Sequence, residues 1–290
     1  MEITFGAIKD ADVYIGGEFD AGVQFTGYKR ALVFLSEVRE GVPIKAASLL
    51  GVEGNTSVHV LAAGGNQGDG SFPLRVSNDM LIEFRKFGFT PESFMVDLTA
   101  FTPEIVQILL AMIYKNYEGA SVYLYYDSKR SDQIDGMFFD SGLPDVRSVL
   151  GYPGSMSPIQ RTHLVIVTGY NPWLIHKVVD EFEPSRLSLC WHIGADMEYK
   201  KDLLGRVRNC GGHVSDFELG ENMGEARSKI QQLAGLHIDM NAIIMVCGEN
   251  SYAAVAAGVA LDNFDIQLCC VPMRKRQDKV FVSNGYTYIT

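Results

Sequence analysis

The chain has 290 residues, of which 47% are hydrophobic and 21% charged, and its formal net charge is −10. This length suits two domains better than one. The acidic balance argues against a nucleic-acid-binding surface, because phosphate contacts need clustered lysine and arginine. The one basic run, 274–276, is followed by Asp278. We expect a solvated turn there, with a phosphate or partner contact as the alternative.

The sequence carries no signal for secretion or for a membrane span. Its first residues lack the apolar core of a signal peptide, and no apolar stretch approaches the roughly 18 residues that cross a bilayer. An odd number of cysteines without a Cys-x-x-Cys pair indicates reduced thiols in a cytoplasmic protein. The six histidines show no metal-ligand spacing, so we expect no metal site. The cysteines are Cys190, Cys210, Cys247, Cys269 and Cys270.

In the first half of the chain, short β-branched runs alternate with helix-length segments. The predicted strands are 12–15, 57–62, 94–98 and 122–126, and the predicted helices are 28–38, 78–87 and 103–114. The glycine-rich segment 64–70 resembles a phosphate-binding loop at first sight. It lacks the following Lys-Ser/Thr pair, so we interpret it as a surface loop.

The second half alternates more regularly. The predicted strands are 163–168, 187–193, 213–219, 242–246 and 266–271, and the predicted helices are 173–182, 197–209, 223–236 and 252–261. Two further strands, 279–283 and 286–289, flank Asn284-Gly285, which is a strong hairpin signal. We expect this hairpin to be appended to the second sheet.

This alternation predicts an α/β protein with two Rossmann-like domains, mainly parallel sheets and a C-terminal β-hairpin. The segment 143–160 is rich in glycine, proline and serine and is interpreted as a linker. The predicted domains are therefore 1–142 and 161–290.

The two halves share similar strand ends about 150 residues apart. The run 95–103 ends a strand and opens a helix, and so does the run 245–252. Val13-Tyr-Ile-Gly-Gly17 and Val165-Ile-Val-Thr-Gly169 are also alike. A duplicated domain and the general likeness of Rossmann-like halves explain these similarities equally well. Both explanations predict the same architecture.

Candidate ligand residues follow from this arrangement, because ligands of open α/β sheets bind beyond the carboxyl ends of the strands. Four segments occupy such positions. The candidates are Gly16, Gly17, Glu18, Asp97, Thr99, Thr102, Gly169, Tyr170, Asn171, Gly248, Glu249, Asn250 and Ser251.

Each of these segments also has a structural interpretation. Asn250 and Ser251 are suited to cap the following helix, or to hold an anion at its start. Asp97 is either a site carboxylate or an acceptor for nearby backbone N–H groups, and Thr102 is a good N-cap before Pro103. Asp127 and Trp191 are further candidates, and both are as easily structural. The sequence contains no Walker, GxSxG or HExxH motif, and GxGxxG is absent from these segments.

The strand 165–169, the turn 248–251 before a small-residue helix and the strand 268–271 resemble CRISPR-associated Rossmann-fold (CARF) sensor domains. The units 96–99 and 123–126 resemble them less closely. The likeness covers about half the chain and concerns strand-end topology. It implies that the first-strand loop and the turn before the last helix bind a cyclic oligonucleotide across a dimer. The family's Thr-Gly-Gly-Thr-Lys turn is Cys-Gly-Glu-Asn-Ser here.

These observations support two hypotheses of function. The first is a non-catalytic nucleotide-sensing or scaffolding subunit of a larger complex, with a protein partner or a second copy. The resemblance to accessory Rossmann-like proteins of bacterial defence islands implies a setting in anti-phage defence. The second is an enzyme acting on a nucleotide-like small molecule, with Asp97, Glu18 and Glu249 as acid/base groups. No cofactor is evident, and a nucleotide is the expected ligand.

Overall fold

The computed structural model describes residues 2–5, 11–17, 28–35, 57–62, 72–99, 101–126, 146–169, 172–192, 197–207, 212–237, 239–271, 280–283 and 286–289. The chain folds into two compact units. Unit 1 comprises Met1–Thr102, Met112–Leu143 and Met273–Thr290, and unit 2 comprises Pro103–Ala111 and Pro144–Pro272. Each unit contains a six-stranded sheet, which confirms the α/β fold with two Rossmann-like halves.

The first sheet is parallel throughout, in the order β1-β6-β5-β2-β3-β4. Its strands are β1 (Glu2–Phe5), β2 (Val13–Gly17), β3 (Arg30–Leu35), β4 (Ser57–Ala62), β5 (Ser93–Asp97) and β6 (Ser121–Tyr125). Helix α1 (Phe72–Arg85) connects β4 with β5, and α2 (Pro103–Asn116) connects β5 with β6.

The second sheet has the order β10-β9-β8-β11-β12-β7, and only the edge strand β7 is antiparallel to its neighbour. Its strands are β7 (Arg147–Pro153), β8 (Thr162–Val167), β9 (Arg186–His192), β10 (His213–Leu219), β11 (Asn241–Val246) and β12 (Gln267–Cys270). The connecting helices are α3 (Pro172–Phe182), α4 (Met197–Val207), α5 (Met223–Gly235) and α6 (Asn250–Asp262).

The two sheets share one strand order and differ in the direction of the edge strand, because β1 is parallel to its neighbour and β7 antiparallel. In each sheet, five strands that follow one another along the chain, β2–β6 and β8–β12, have the spatial order third, second, first, fourth, fifth. The remaining strand, β1 or β7, lies at the edge beside the fifth. The similar segments 95–103 and 245–252 therefore occupy equivalent places, at the end of the fourth strand. In both sheets the strand order reverses between the first and fourth strands, which is the switch point where ligands of such folds bind.

Three parts of the sequence behave differently from the prediction. The predicted helix at 28–38 is wrong, because residues 30–35 form β3 between β2 and β4. An unbroken apolar run fits a buried helix or an interior parallel strand equally well, and sheet pairing decides the outcome. Ala31 and Leu32 have no exposed surface.

The second difference concerns the edge strands β1 and β7, which were not predicted. Strand β7 lies inside the range 143–160 that was interpreted as a linker. Strand β7 contains glycine and proline, which are rare inside strands, and its sequence therefore does not predict a strand. Gly151 has a φ of +104°, and the register with β12 shifts between Gln267 and Cys269. Bulges of this kind are common at sheet edges.

The third difference concerns the C-terminal hairpin. Strands β13 (Val280–Ser283) and β14 (Tyr286–Ile289) pair antiparallel, as expected. They form a sheet of their own, are not appended to the second sheet and belong to unit 1.

Strand β11 and helix α6 form the centre of the core of unit 2. Every residue of β11 is buried, as is common for central parallel strands covered on both faces. Helix α6 is buried from Asn250 to Leu261, and its alanines and Gly258 allow close packing on the sheet.

Among the described residues, no helix is long and apolar enough to cross a membrane.

Candidate functional site

The switch point of the second sheet lies between β8 and β11. The chain leaves β8 towards β9 and leaves β11 towards β12, in opposite directions across the sheet. Right-handed crossovers then place α3 and α4 on one face and α5 and α6 on the other. The helix packing agrees, because α3 packs on α4 and α5 packs on α6. The segments after β8 and β11 therefore border one crevice.

The backbones of these two segments touch. A Cβ on Gly169 would lie 1.6 Å from the carbonyl oxygen of Cys247, and a Cβ on Gly248 would lie 2.7 Å from the carbonyl oxygen of Thr168. Both positions therefore require glycine for close packing of backbone on backbone. Two of the predicted ligand residues, Gly169 and Gly248, are thus brought together. Tyr170 and Asn171, predicted beside Gly169, lie outside the described residues.

A tyrosine that the sequence analysis missed supports Gly169 from the side. The Tyr199 hydroxyl donates a hydrogen bond to the carbonyl oxygen of Gly169 at 2.8 Å. Its ring contacts Trp191 edge to face, with 5.8 Å between centroids. Tyr199 lies in the first turn of α4, which follows β9, and first turns after strands reach the carboxyl edge of the sheet. Searching those turns would have found it.

Trp191 is fully buried near the end of β9. Within the described part of the chain, its indole N–H has no hydrogen-bond partner. The Lys200 ammonium lies 5.5 Å from the ring centroid and 3.0 Å from a carboxylate oxygen of Asp216. The tryptophan is therefore part of the core, and Lys200 makes a cation–π contact over its ring.

Helix α6 starts differently from the capping interpretation. Its N-cap is Glu249, which makes no side-chain capping bond, and the helix itself begins at Asn250. Asn250 and Ser251 are therefore the first helical residues, and both are buried. The Ser251 hydroxyl donates to the Glu249 carboxylate at 3.4 Å. The capping role predicted for Asn250 and Ser251 is wrong, because the helix begins at Asn250, two residues before the predicted start at 252.

The first sheet has its switch point between β2 and β5. Asp97 ends β5 with 1% of its surface exposed, and one of its oxygens accepts a hydrogen bond from the backbone N–H of Thr99 at 2.9 Å. The interpretation of Asp97 as a backbone acceptor is thus confirmed. On β2, a Cβ at Gly16 would meet the Tyr14 ring, so this glycine makes room for a buried aromatic side chain.

For the remaining candidates of the first half, the structure gives the position in the fold, the burial or both. Gly17 is the last residue of β2, and Thr102 is buried directly before α2. Thr99 is buried as well. Glu18 and Asp127 lie outside the described residues.

Burial sets the electrostatics at the carboxyl edge of the second sheet. It raises the pKa of the Cys190 and Cys247 thiols to about 12 each, which keeps both protonated at neutral pH. It also raises the pKa of Tyr199. A reactive cysteine needs the opposite shift, so these thiols are structural. In the residues that the structure describes, no three His, Cys, Asp or Glu side chains are grouped to hold a metal ion.

No protein-family model matches this chain, and a comparison with curated proteins found no significant sequence similarity.

Proposed function

We propose that this protein is a nucleotide-sensing subunit of a larger complex and that it binds its ligand at the switch point of the second sheet. The observation that carries the proposal is the start of α6. Its first backbone hydrogen bonds run from Tyr252 and Ala253 to the Glu249 carbonyl. A helix start of this kind directs backbone N–H groups towards the edge where open α/β sheets bind ligands.

The side chains at this edge favour a sugar or base over a bare phosphate. Gly248 and Glu249 are half-buried, so a ligand reaches them from solvent. The Glu249 carboxylate at the helix start is an acceptor, and ribose hydroxyls are suitable donors, as in dinucleotide-binding folds. A phosphate placed against the same carboxylate would be repelled.

The titratable groups at the carboxyl ends of the strands, in both sheets, suit recognition better than catalysis. The Asp97 carboxylate accepts a hydrogen bond from its own turn, and the thiols of Cys190 and Cys247 are held protonated. We therefore propose a non-catalytic sensor, with bacterial anti-phage defence as the setting that the CARF-like topology suggests. An enzyme using Asp97 and Glu249 is the alternative hypothesis.

The test is a binding screen with the full chain against nucleotides, cyclic dinucleotides and cyclic oligonucleotides. A ligand at 100 times its dissociation constant should stabilise the protein by about 2.7 kcal/mol. We expect Glu249→Gln to weaken binding about tenfold or more. Asp262→Asn, at the far end of the same helix, is the matched control and should bind like the wild type.

Two results would overturn the proposal. One is that no nucleotide binds, and the other is that Glu249→Gln binds as tightly as the wild type. Recovery of a chemically altered ligand, with the alteration lost in Asp97→Asn, would support the enzyme instead.

A further inference from the structure

The opposite edge of the second sheet, where its parallel strands begin, contains a polar cavity of about 250 Å³. Its polar wall is formed by Ser155, Gln160, His237, Asn263 and Asp265. These residues come from the loops before β8, β11 and β12, and all of them belong to unit 2. The cavity is therefore separate from the crevice at the ends of β8 and β11.

The loops around this cavity are fixed by hydrogen bonds. The Asn241 side chain, at the start of β11, accepts from the N–H of Ser157 at 2.8 Å and donates to its carbonyl oxygen at 2.8 Å. It also donates to the carbonyl oxygen of Gln160 at 3.2 Å. The N–H of Ser155 donates to the carbonyl oxygen of Asp265 at 3.3 Å. The cavity is therefore preformed, which lowers the entropic cost of binding.

The wall of the cavity is electronegative. Asp265 provides a carboxylate with no ion pair among the described residues. Ala234 and Gly235 belong to the last turn of α5, where helix carbonyls lack partners and carry partial negative charge. Of the described lining residues, His237 is the only basic one; Arg161, the arginine nearest along the chain, is exposed and does not line the cavity. A cationic group therefore fits this wall.

Exposed apolar side chains occur at the same loops. Met156 is 42% exposed, Ile159 93%, Leu236 53% and Phe264 68%. Each is the sequence neighbour of at least one residue that lines the cavity. Aromatic residues and methionine are enriched at protein interfaces, so exposed side chains of these types beside the cavity suit contact with a partner protein.

We propose that this surface binds a partner protein that inserts an arginine side chain into the cavity while its apolar residues cover Ile159 and Phe264. Arginine fits best, because its planar guanidinium offers several donors to the carboxylate and carbonyl acceptors and is enriched at interface centres. The proposal rests on the assembly part of the proposed function. It concerns a different edge from the nucleotide crevice, so either proposal can fail alone.

The first test is an NMR titration of the full chain with methylguanidinium. We expect shifts of the His237 ring and of the Gln160 and Asn263 side-chain amides, and we expect Asp265→Asn to abolish them. Asp202→Asn, which removes an exposed carboxylate of α4, is the matched control and should keep them. Absence of shifts in the wild type, or unchanged shifts in Asp265→Asn, would overturn the proposal.

The second test uses short labelled peptides with a fixed central arginine and all other positions randomised. Matched pools carry citrulline or glutamate at the centre. We expect the arginine pool to bind about tenfold or more tightly than the others, and Ile159→Ser to weaken it by a similar factor. Leu74→Ser, at an exposed leucine of unit 1, is the control and should bind like the wild type.

The remaining outcomes count against a protein partner with arginine. If the citrulline or glutamate pool bound as tightly as the arginine pool, the cavity would not recognise the positive charge of arginine. Methylguanidinium binding as tightly as the arginine pool, with no effect of Ile159→Ser, would make the cavity a small-molecule site. A dimer in light scattering that Ile159→Ser dissociates would identify a second copy as the occupant.

Discussion

The carbonyl oxygen of Cys247 occupies the space that any side chain on Gly169 would need. A Cβ at Gly169 would lie 1.6 Å from that oxygen. The Tyr199 hydroxyl also donates a hydrogen bond to the carbonyl oxygen of Gly169. The ends of β8 and β11 are therefore locked together at the switch point. A flexible side chain could rotate away from such a contact, whereas a backbone carbonyl between two sheet strands can move only if the strands separate.

The substitution Gly169→Ala should therefore destabilise unit 2. We expect the free energy of unfolding to fall by about 2 kcal/mol or more, because the added methyl group overpacks rigid backbone. Nucleotide binding at the switch point should be lost as well. Gly205→Ala is the matched control: a Cβ there meets nothing within 4 Å, and the residue lies inside α4. That change should stabilise by about 0.5–1 kcal/mol. Urea denaturation measures both.

The ion pair between Glu104 and Arg147 is bidentate, with N–O distances of 2.9 and 2.7 Å, and is largely buried. Glu104→Gln leaves the arginine charge without its partner. We expect a loss of about 3 kcal/mol in the free energy of unfolding. The exposed pair of Asp202 and Arg206 is the comparison, and Asp202→Asn should cost less than about 0.5 kcal/mol. Equal effects of the two substitutions in thermal or urea unfolding would contradict this account.

Stability should depend on pH through His163. This side chain is 2% exposed, and its Nε2 shares a hydrogen bond with the Ser188 hydroxyl at 2.9 Å. Burial, with smaller effects of His237 and Arg186, lowers its pKa to about 4. Between pH 6.5 and 4 the unfolded chain binds a proton that the native state does not bind, so stability falls as the pH is lowered through this window.

The expected loss is about 3 kcal/mol, the free energy that corresponds to the difference between the pKa values of the unfolded and the native state. His163→Gln should flatten the pH dependence of urea midpoints in this range. His176→Gln, at a more exposed histidine of α3, should leave it nearly unchanged. The idea fails if the wild type and His163→Gln lose stability in parallel.

The described thiols should be unreactive in the native protein. Burial raises the pKa of Cys190 and Cys247 to about 12 and that of Cys269 to about 11, and it raises the pKa of Cys270 well above its usual value. We expect little labelling by iodoacetamide at pH 8 and full labelling after denaturation. Peptide mass spectrometry distinguishes the sites. Rapid native labelling of Cys247 would show that the switch point opens to solvent.

Much of the fold was predictable because its signals are local. Alternating apolar runs and helix-length segments predicted β4, β10 and β14 with the bounds that the structure has, and the ends of the other predicted strands differ from it by one or two residues. The helix at 28–38 failed because the run after Arg30 has no periodicity that separates a buried strand from a buried helix. The edge strand β7 was not predicted because it contains Gly151, whose φ is +104°, and because its register with β12 is irregular.

By itself, the sequence determined the α/β class, the two similar halves and the strand ends where a ligand would bind, because hydrophobic period and turn residues act over a few positions. Only the tertiary structure showed that Gly169 faces Cys247 and that Tyr199 supports this contact. It also revealed the cavity beside Asp265. These relationships join residues that are far apart in the chain, and sheet pairing and packing set them.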